Sequence, residues 1–164
     1  MVIISKEIEE ALQYRIQQEE QSVWMYRAMS HWLNLNGFPG AAKLWMKYSK
    51  EERQHSKWAY ERLLSLNILP ITPALEKPKM VFKSLQNVVA ISLEHEMEVT
   101  KQCEEFAKKC QELSDYKNFE LALQYCKEQT EEIAKLQDIV DQINSFGESK
   151  EALRLLDNWL DRQV

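Results

Sequence analysis

The sequence predicts an all-α protein: a four-helix bundle with one long crossover between its second and third helices and a short fifth helix at the C-terminus. Three observations carry that prediction. The 164 residues include only 3 Gly and 4 Pro, whereas the helix formers Glu, Lys, Gln and Leu abound. Four long stretches place apolar residues three and four positions apart, the period of a helix with one buried face. Three of the four prolines (Pro70, Pro73, Pro78) fall within segment 68–83, which no continuous helix can cross. A chain of this length folds most simply as one domain, 1–164, with residues enough for a full core.

The first helix, about 5–35, sets Ile8, Leu12, Arg15, Glu19, Ser22, Tyr26, Met29 and Leu33 on one stripe. Asn36-Gly37 ends it and Pro39-Gly40 opens the second, so the two are antiparallel neighbours. The second helix, about 39–67, turns Leu44, Trp45, Tyr48, Glu52, His55, Ala59 and Leu63 inward. Segment 68–83 is too long for a bundle turn and reads as a crossover running the length of the bundle, which leaves the third helix parallel to the second. That helix, about 84–113, carries Val88, Ser92, Glu96, Val99, Cys103, Phe106 and Cys110. Ser114-Asp115 supplies a turn and an N-cap. The fourth helix, about 115–145, faces Phe119, Ala122, Tyr125, Gln129, Glu132, Leu136, Ile139, Val140 and Ile143 inward, and Gly147 stops it. A fifth, about 149–162, has Leu153, Leu156, Trp159 and Leu160 on one face.

The four stripes share a defect. Glu52 and His55 lie one turn apart where an apolar pair is expected, and a carboxylate with a neutral imidazole can hold one transition-metal ion. Counted from Gly37, Glu19 is about 18 residues back and Glu52 and His55 are about 15 and 18 forward. Counted from Ser114, Glu96 is about 18 back and Gln129 and Glu132 are about 15 and 18 forward. All six groups therefore reach one level, provided the crossover restores the register. Taken singly each carboxylate is an ordinary solvated residue; buried together without compensation, such groups cost several kcal/mol apiece. Bound divalent cations offset that cost.

The charge of −5 and pI near 5.4 argue against nucleic acid as the main partner and suit a protein that handles cations. No apolar run approaches a membrane span, and the N-terminal MVIISKEIEE turns charged too soon for a signal peptide. Cys103, Cys110 and Cys126 lie in helical patterns and read as buried reduced thiols, which favours a cytoplasmic protein. His31 and His95 read as surface or interface residues. Trp24, Met25, Trp32, Leu44 and Trp58 fall partly off the inward stripes, and with the apolar face of the fifth helix they predict self-association.

With QQEEQSVWMY, KEERQH, EHEMEVT and KEQTEEIAKL, the long crossover and the short fifth helix, the chain resembles the non-haem ferritins of the bacterial type over essentially its whole length. A ferritin-like di-metal bundle takes a Glu from each of two helices and a Glu-x-x-His from each of the other two. Glu19, Glu96 and Glu52-x-x-His55 match three of these elements, while Gln129-x-x-Glu132 replaces the last. The resemblance implies iron storage and detoxification by a ferroxidase that oxidises Fe(II) with dioxygen or hydrogen peroxide at a di-iron centre inside each subunit. Ferric oxyhydroxide would collect inside a hollow cage of 24 identical subunits. Glu52 would bridge the irons, Glu19 and His55 would hold one, Glu96 and Glu132 the other, and Gln129 would line the second position. Tyr26 matches the family's tyrosine beside the centre, a hydrogen-bond partner and one-electron donor. Glu51, Glu128 and Glu131 match residues that bind a third iron on the cavity side, although Glu128 and Glu131, in the run EQTEE, also read as surface charge.

The departures matter as well. Bacterioferritins end the second motif in His where this chain has Glu132, and their haem-binding Met is replaced by Arg53, so no haem is expected. A degenerate, non-catalytic cage fits less well because the expected ligands are all present, and a di-iron oxidase of organic substrates would need a pocket the sequence does not signal. An acidic iron entrance is expected near the third–fourth helix corner, at Asp115 and Glu120.

Overall fold

The computed structural model describes residues 4–164, so part of the leader-peptide reading, on residues 1–3, lies outside the described residues. Its elements are α1 (Lys6–Leu35), α2 (Pro39–Ser65), α3 (Leu85–Glu112), α4 (Tyr116–Phe146) and α5 (Lys150–Asp161). Each boundary follows from local chemistry. Ser5, Ser84, Asp115 and Ser149 cap the N-termini of α1, α3, α4 and α5, their side chains accepting from the backbone N–H three residues on. Gly37 follows α1 with φ +86°, a left-handed conformation that lets the chain reverse into Pro39. The second helix ends at Ser65, slightly before the expected end, because Asn67 adopts φ +60°.

Helices α1 and α2 form one hairpin and α3 and α4 the other. The crossover climbs along α1. Gln13 clamps it near the bottom, donating to the Leu69 carbonyl at 3.3 Å and accepting from the Ile71 N–H at 3.0 Å. Two turns higher, Gln21 donates to the Glu76 carbonyl at 3.0 Å and accepts from its N–H at 2.9 Å. At the top, Phe82 meets Trp32 edge to face at 5.6 Å. The strap thus returns the chain to the level at which α2 began, and α3 descends parallel to α2. None of the described helices is long and apolar enough to cross a membrane.

The interior divides into two apolar clusters. The upper one gathers Met29, Leu33, Trp45, Leu85, Val88, Leu136 and Ile139; the lower one gathers Ile8, Leu12, Leu63, Val99, Phe106 and Tyr125. Between them lies a buried polar layer drawn from all four long helices, Glu19, Glu52, His55, Glu96, Gln129 and Glu132.

Three expectations change. The apolar face of α5 is not left for a partner: Leu156 and Leu160 are fully buried on the chain's own upper cluster, with Leu153 and Trp159 packed beside them. Leu44 is buried as well, so exposed apolar surface sits elsewhere, notably at Leu69, Ile71 and Val81 of the strap. His95 is not a surface residue. It is half-buried against α1, with Nε2 2.7 Å from the Ser22 hydroxyl and its ring 6.0 Å from that of Tyr26. His31 is exposed.

Candidate metal centre

Glu19 reaches the polar layer from α1, Glu52 and His55 from α2, Glu96 from α3, and Gln129 and Glu132 from α4; all six are at least 95% buried. Glu19, Glu52 and His55 bring one ligand atom each within 4.8 Å of one another, and so do His55, Glu128 and Glu132. His55 joins the two groups through its two ring nitrogens. Nδ1 lies 3.1 Å from Glu52 Oε2 and 3.9 Å from Glu19 Oε2, while Nε2 lies 3.5 Å from Glu128 Oε1. Its ring is held from below by Trp58, 4.9 Å away, and Tyr125 donates to its backbone carbonyl at 2.5 Å. Trp58, off the stripe in sequence, is thus packing for the imidazole.

Glu96 is oriented from two sides. The Tyr26 hydroxyl donates to its Oε1 and the Gln129 amide to its Oε2, the latter at 2.7 Å. Both are hydrogen bonds to a buried carboxylate, short of a second cation. Glu19 is paired differently: Oε1 accepts from Arg15 Nη1 at 3.0 Å, and Oε2 has no hydrogen-bond partner among the described residues. An unpartnered carboxylate oxygen, buried and aimed at His55 and Glu52, is costly unless a cation takes it.

The electrostatics point the same way. Burial, with Glu96 and Glu19 close by, pushes Glu52 well above the usual carboxylate range. Burial raises Glu96 despite its two donors. Burial also pushes Glu132 up to about 7, against the pull of Lys135. Tyr26 is held well above its ordinary value by burial and by the Glu96 and Glu52 carboxylates, which keeps the phenol protonated. This is the signature of several carboxylates crowded in low dielectric without enough positive charge.

The outer residues divide. Glu128 is half-buried and turns toward His55 and Glu132. Glu51 is half-buried at 3.9 Å from the Lys135 ammonium, and Glu131 is exposed; neither belongs to a ligand group among the described residues. Two cations join the site from outside the carboxylate and imidazole motifs. Arg15 lies on the inward stripe of α1, and its position four residues before Glu19 is the pairing signal. Lys135, 3.1 Å from Glu132 Oε1, had only the i,i+3 spacing to announce it. At the expected iron entrance, the Asp115 carboxylate is occupied by the N–H and side-chain amide of Asn118.

Residues 9–146 match the family described as Ferritin-like domain. The chain is 32% identical over 158 residues to a probable bacterial non-heme ferritin-like protein of Haemophilus influenzae, with 96% of each chain covered. It is 30% identical to a bacterial non-heme ferritin of Campylobacter jejuni, covering 96% of this chain and 95% of that one. Its fold superimposes on an open pore ferritin of Archaeoglobus fulgidus with TM-score 0.93 at 28% identity, over 97% of this chain and 98% of that one. Sequence, fold and the buried carboxylate–imidazole layer agree: the chain belongs to the ferritin-like family, in its bacterial non-haem branch, and is an iron-storage protein.

Proposed function

We propose that the mid-bundle layer is a ferroxidase centre that takes two Fe(II) ions as substrate. The observation that carries this reading is the Glu19–Glu52–His55 group, buried between two apolar clusters with one carboxylate oxygen left unpartnered. One iron would sit among Glu19, Glu52 and His55 Nδ1. The other would sit among Glu52, Glu96 and Glu132, with Gln129 holding Glu96 in place. Oxygen-rich ligands favour Fe(III) over Fe(II), which promotes loss of the electron, and the single imidazole makes the two positions unequal.

Each pair of Fe(II) ions gives two electrons to dioxygen, which leaves as hydrogen peroxide; a second pair reduces that peroxide to water. Hydrolysis of the ferric product to oxyhydroxide releases protons, and the raised carboxyls are suited to exchange them. Tyr26, whose hydroxyl donates to Glu96, would hold that carboxylate in position beside the second iron. Glu51, Glu128 and Glu131 would form the onward path and third iron position. We read the protein as a cytoplasmic cage of 24 subunits. The exposed Leu69, Ile71 and Val81 of the strap support self-association, and three free cysteines fit a reducing compartment.

Anaerobic Fe(II) titration of the apo-protein, followed by rapid mixing with oxygen and absorbance detection, tests the proposal. Wild-type protein should bind two to three Fe(II) per chain and oxidise them quickly. Glu52→Ala should lose fast oxidation by about 100-fold or more while the apo-protein is as stable as before, because a carboxylate that bridges both irons is gone and so is its repulsion of its neighbours. Unchanged oxidation in that variant would sink the assignment.

A further inference from the structure

Two cations are built into the layer, and they are unlike. Arg15 is fully buried and tied to Glu19, Gln102 and the Cys103 sulfur. Lys135 reaches in from the open side: its side chain is 41% exposed, its ammonium lies 3.1 Å from Glu132 and 3.9 Å from Glu51, and it borders a cavity of about 230 Å³. Lys47, Tyr48, Glu51 and Asp138 line the same cavity. Asp138 stands three residues beyond Lys135 on α4, where a swinging ammonium can find a second carboxylate. Glu51 Oε2 is buried and accepts no hydrogen bond among the described residues, so Lys135 answers it by charge alone.

We propose that Lys135 is a tethered cation at the inner mouth of the centre, neutralising Glu132 and Glu51 when metal is absent and yielding them to a divalent cation that arrives there. This positioning role rests on the ferroxidase reading of the layer. The flexible four-carbon stem and half-open position let this cation swing aside, whereas Arg15 is fully buried and tied to three neighbours. The ammonium lowers affinity at the cavity-side position and leaves the Glu19–Glu52–His55 position alone, so cations fill the inner one last and leave it first. If it occupies the carboxylates nine-tenths of the time, it weakens apparent binding there about tenfold.

Calorimetric titration of redox-inert Zn(II) into the assembled apo-protein tests this. Lys135→Gln should tighten the weaker class of sites about tenfold and change the tighter class less than about twofold, while Lys135→Arg, which keeps the charge, should stay near wild type. Equal isotherms for wild type and Lys135→Gln, with Zn(II) bound in both, would overturn the lysine's role and leave the ferroxidase reading standing. A tightening that Lys135→Arg shares would also overturn it, since charge would not be the cause. No Zn(II) bound by the wild type would overturn both readings.

Discussion

Arg15 occupies a costly position. A guanidinium with no exposure, on a stripe otherwise given to Leu12 and Ile16, pays a large desolvation penalty that only Glu19 and its polar neighbours offset. It also leaves Glu19 with one free oxygen rather than two, so Arg15 prepares that carboxylate to meet a metal from one side only. Removing the cation strands the anion. Arg15→Met should therefore destabilise the apo-protein by about 3 kcal/mol, read as a lower urea midpoint with an unchanged slope. Saturating Zn(II) should recover part of the loss, because a metal ion can replace the guanidinium as Glu19's partner. A midpoint equal to wild type would mean the pair is energetically idle.

At the level of the element, α5 is held by more than its apolar face. Helix α2 begins with Phe38 and Pro39 and has no capping side chain of its own. Asp157 of α5 supplies one from a distance of over a hundred residues, accepting from the N–H groups of Gly40 and Ala41 at 3.0 and 2.7 Å. The approach is so close that a Cβ at position 40 would lie 2.2 Å from the Asp157 carbonyl oxygen. Asp157→Ala should cost about 1–2 kcal/mol of stability through the lost cap. Gly40→Ala should cost more, because it pushes α5 off the bundle and exposes Leu156 and Leu160. Thermal denaturation ranks the two, and faster tryptic cleavage at Arg154 in the Gly40 variant would mark undocking of α5. Equal cleavage in wild type and Gly40→Ala would count against that reading.

For the whole molecule, the polar layer is a fault line between two apolar clusters, and its charge state couples stability to pH. Glu132, pushed up to about 7, keeps its proton in the folded protein over a range where the unfolded chain, at the ordinary carboxyl value of 4.5, has lost it. The native state then binds more protons than the unfolded one, so stability falls as pH rises from about 4.5 to about 7. Glu52 and Glu96, also raised by burial, have the same sign. The apo-protein should accordingly be less stable at pH 8 than at pH 5.5, as judged by chemical denaturation at matched ionic strength. Divalent cations need the deprotonated carboxylates, so their stabilisation should grow over the same interval and be accompanied by proton release. A flat apo profile would show that the layer is relieved by some other charge.

Much of this was legible in one dimension. Helical period marks the inward face, and the tight turns at Gly37 and Ser114 make counting residues equivalent to measuring height, so Glu19 with Glu52 and His55, and Glu96 with Gln129 and Glu132, could be put at one level within each hairpin. Family motifs then supplied the chemistry. What counting cannot supply is rotation and return. Whether the two hairpins meet in register depends on how far the strap climbs, which Gln13 and Gln21 decide by clamping its peptide groups to α1. The pairing of Lys135 with Glu132 and Glu51, the half-burial of His95 against Ser22 and the exposure of Glu131 follow from small rotations of helices about their axes. The docking of Asp157 onto Gly40 joins residues far apart in the chain by a hydrogen bond that no local pattern records. Residue type and short-range period are enough to specify the helices, their buried faces and the kind of metal-binding groups they carry. Which charges neutralise which is set by the fold, because partners across a bundle are chosen by packing geometry over distances that periodicity does not encode.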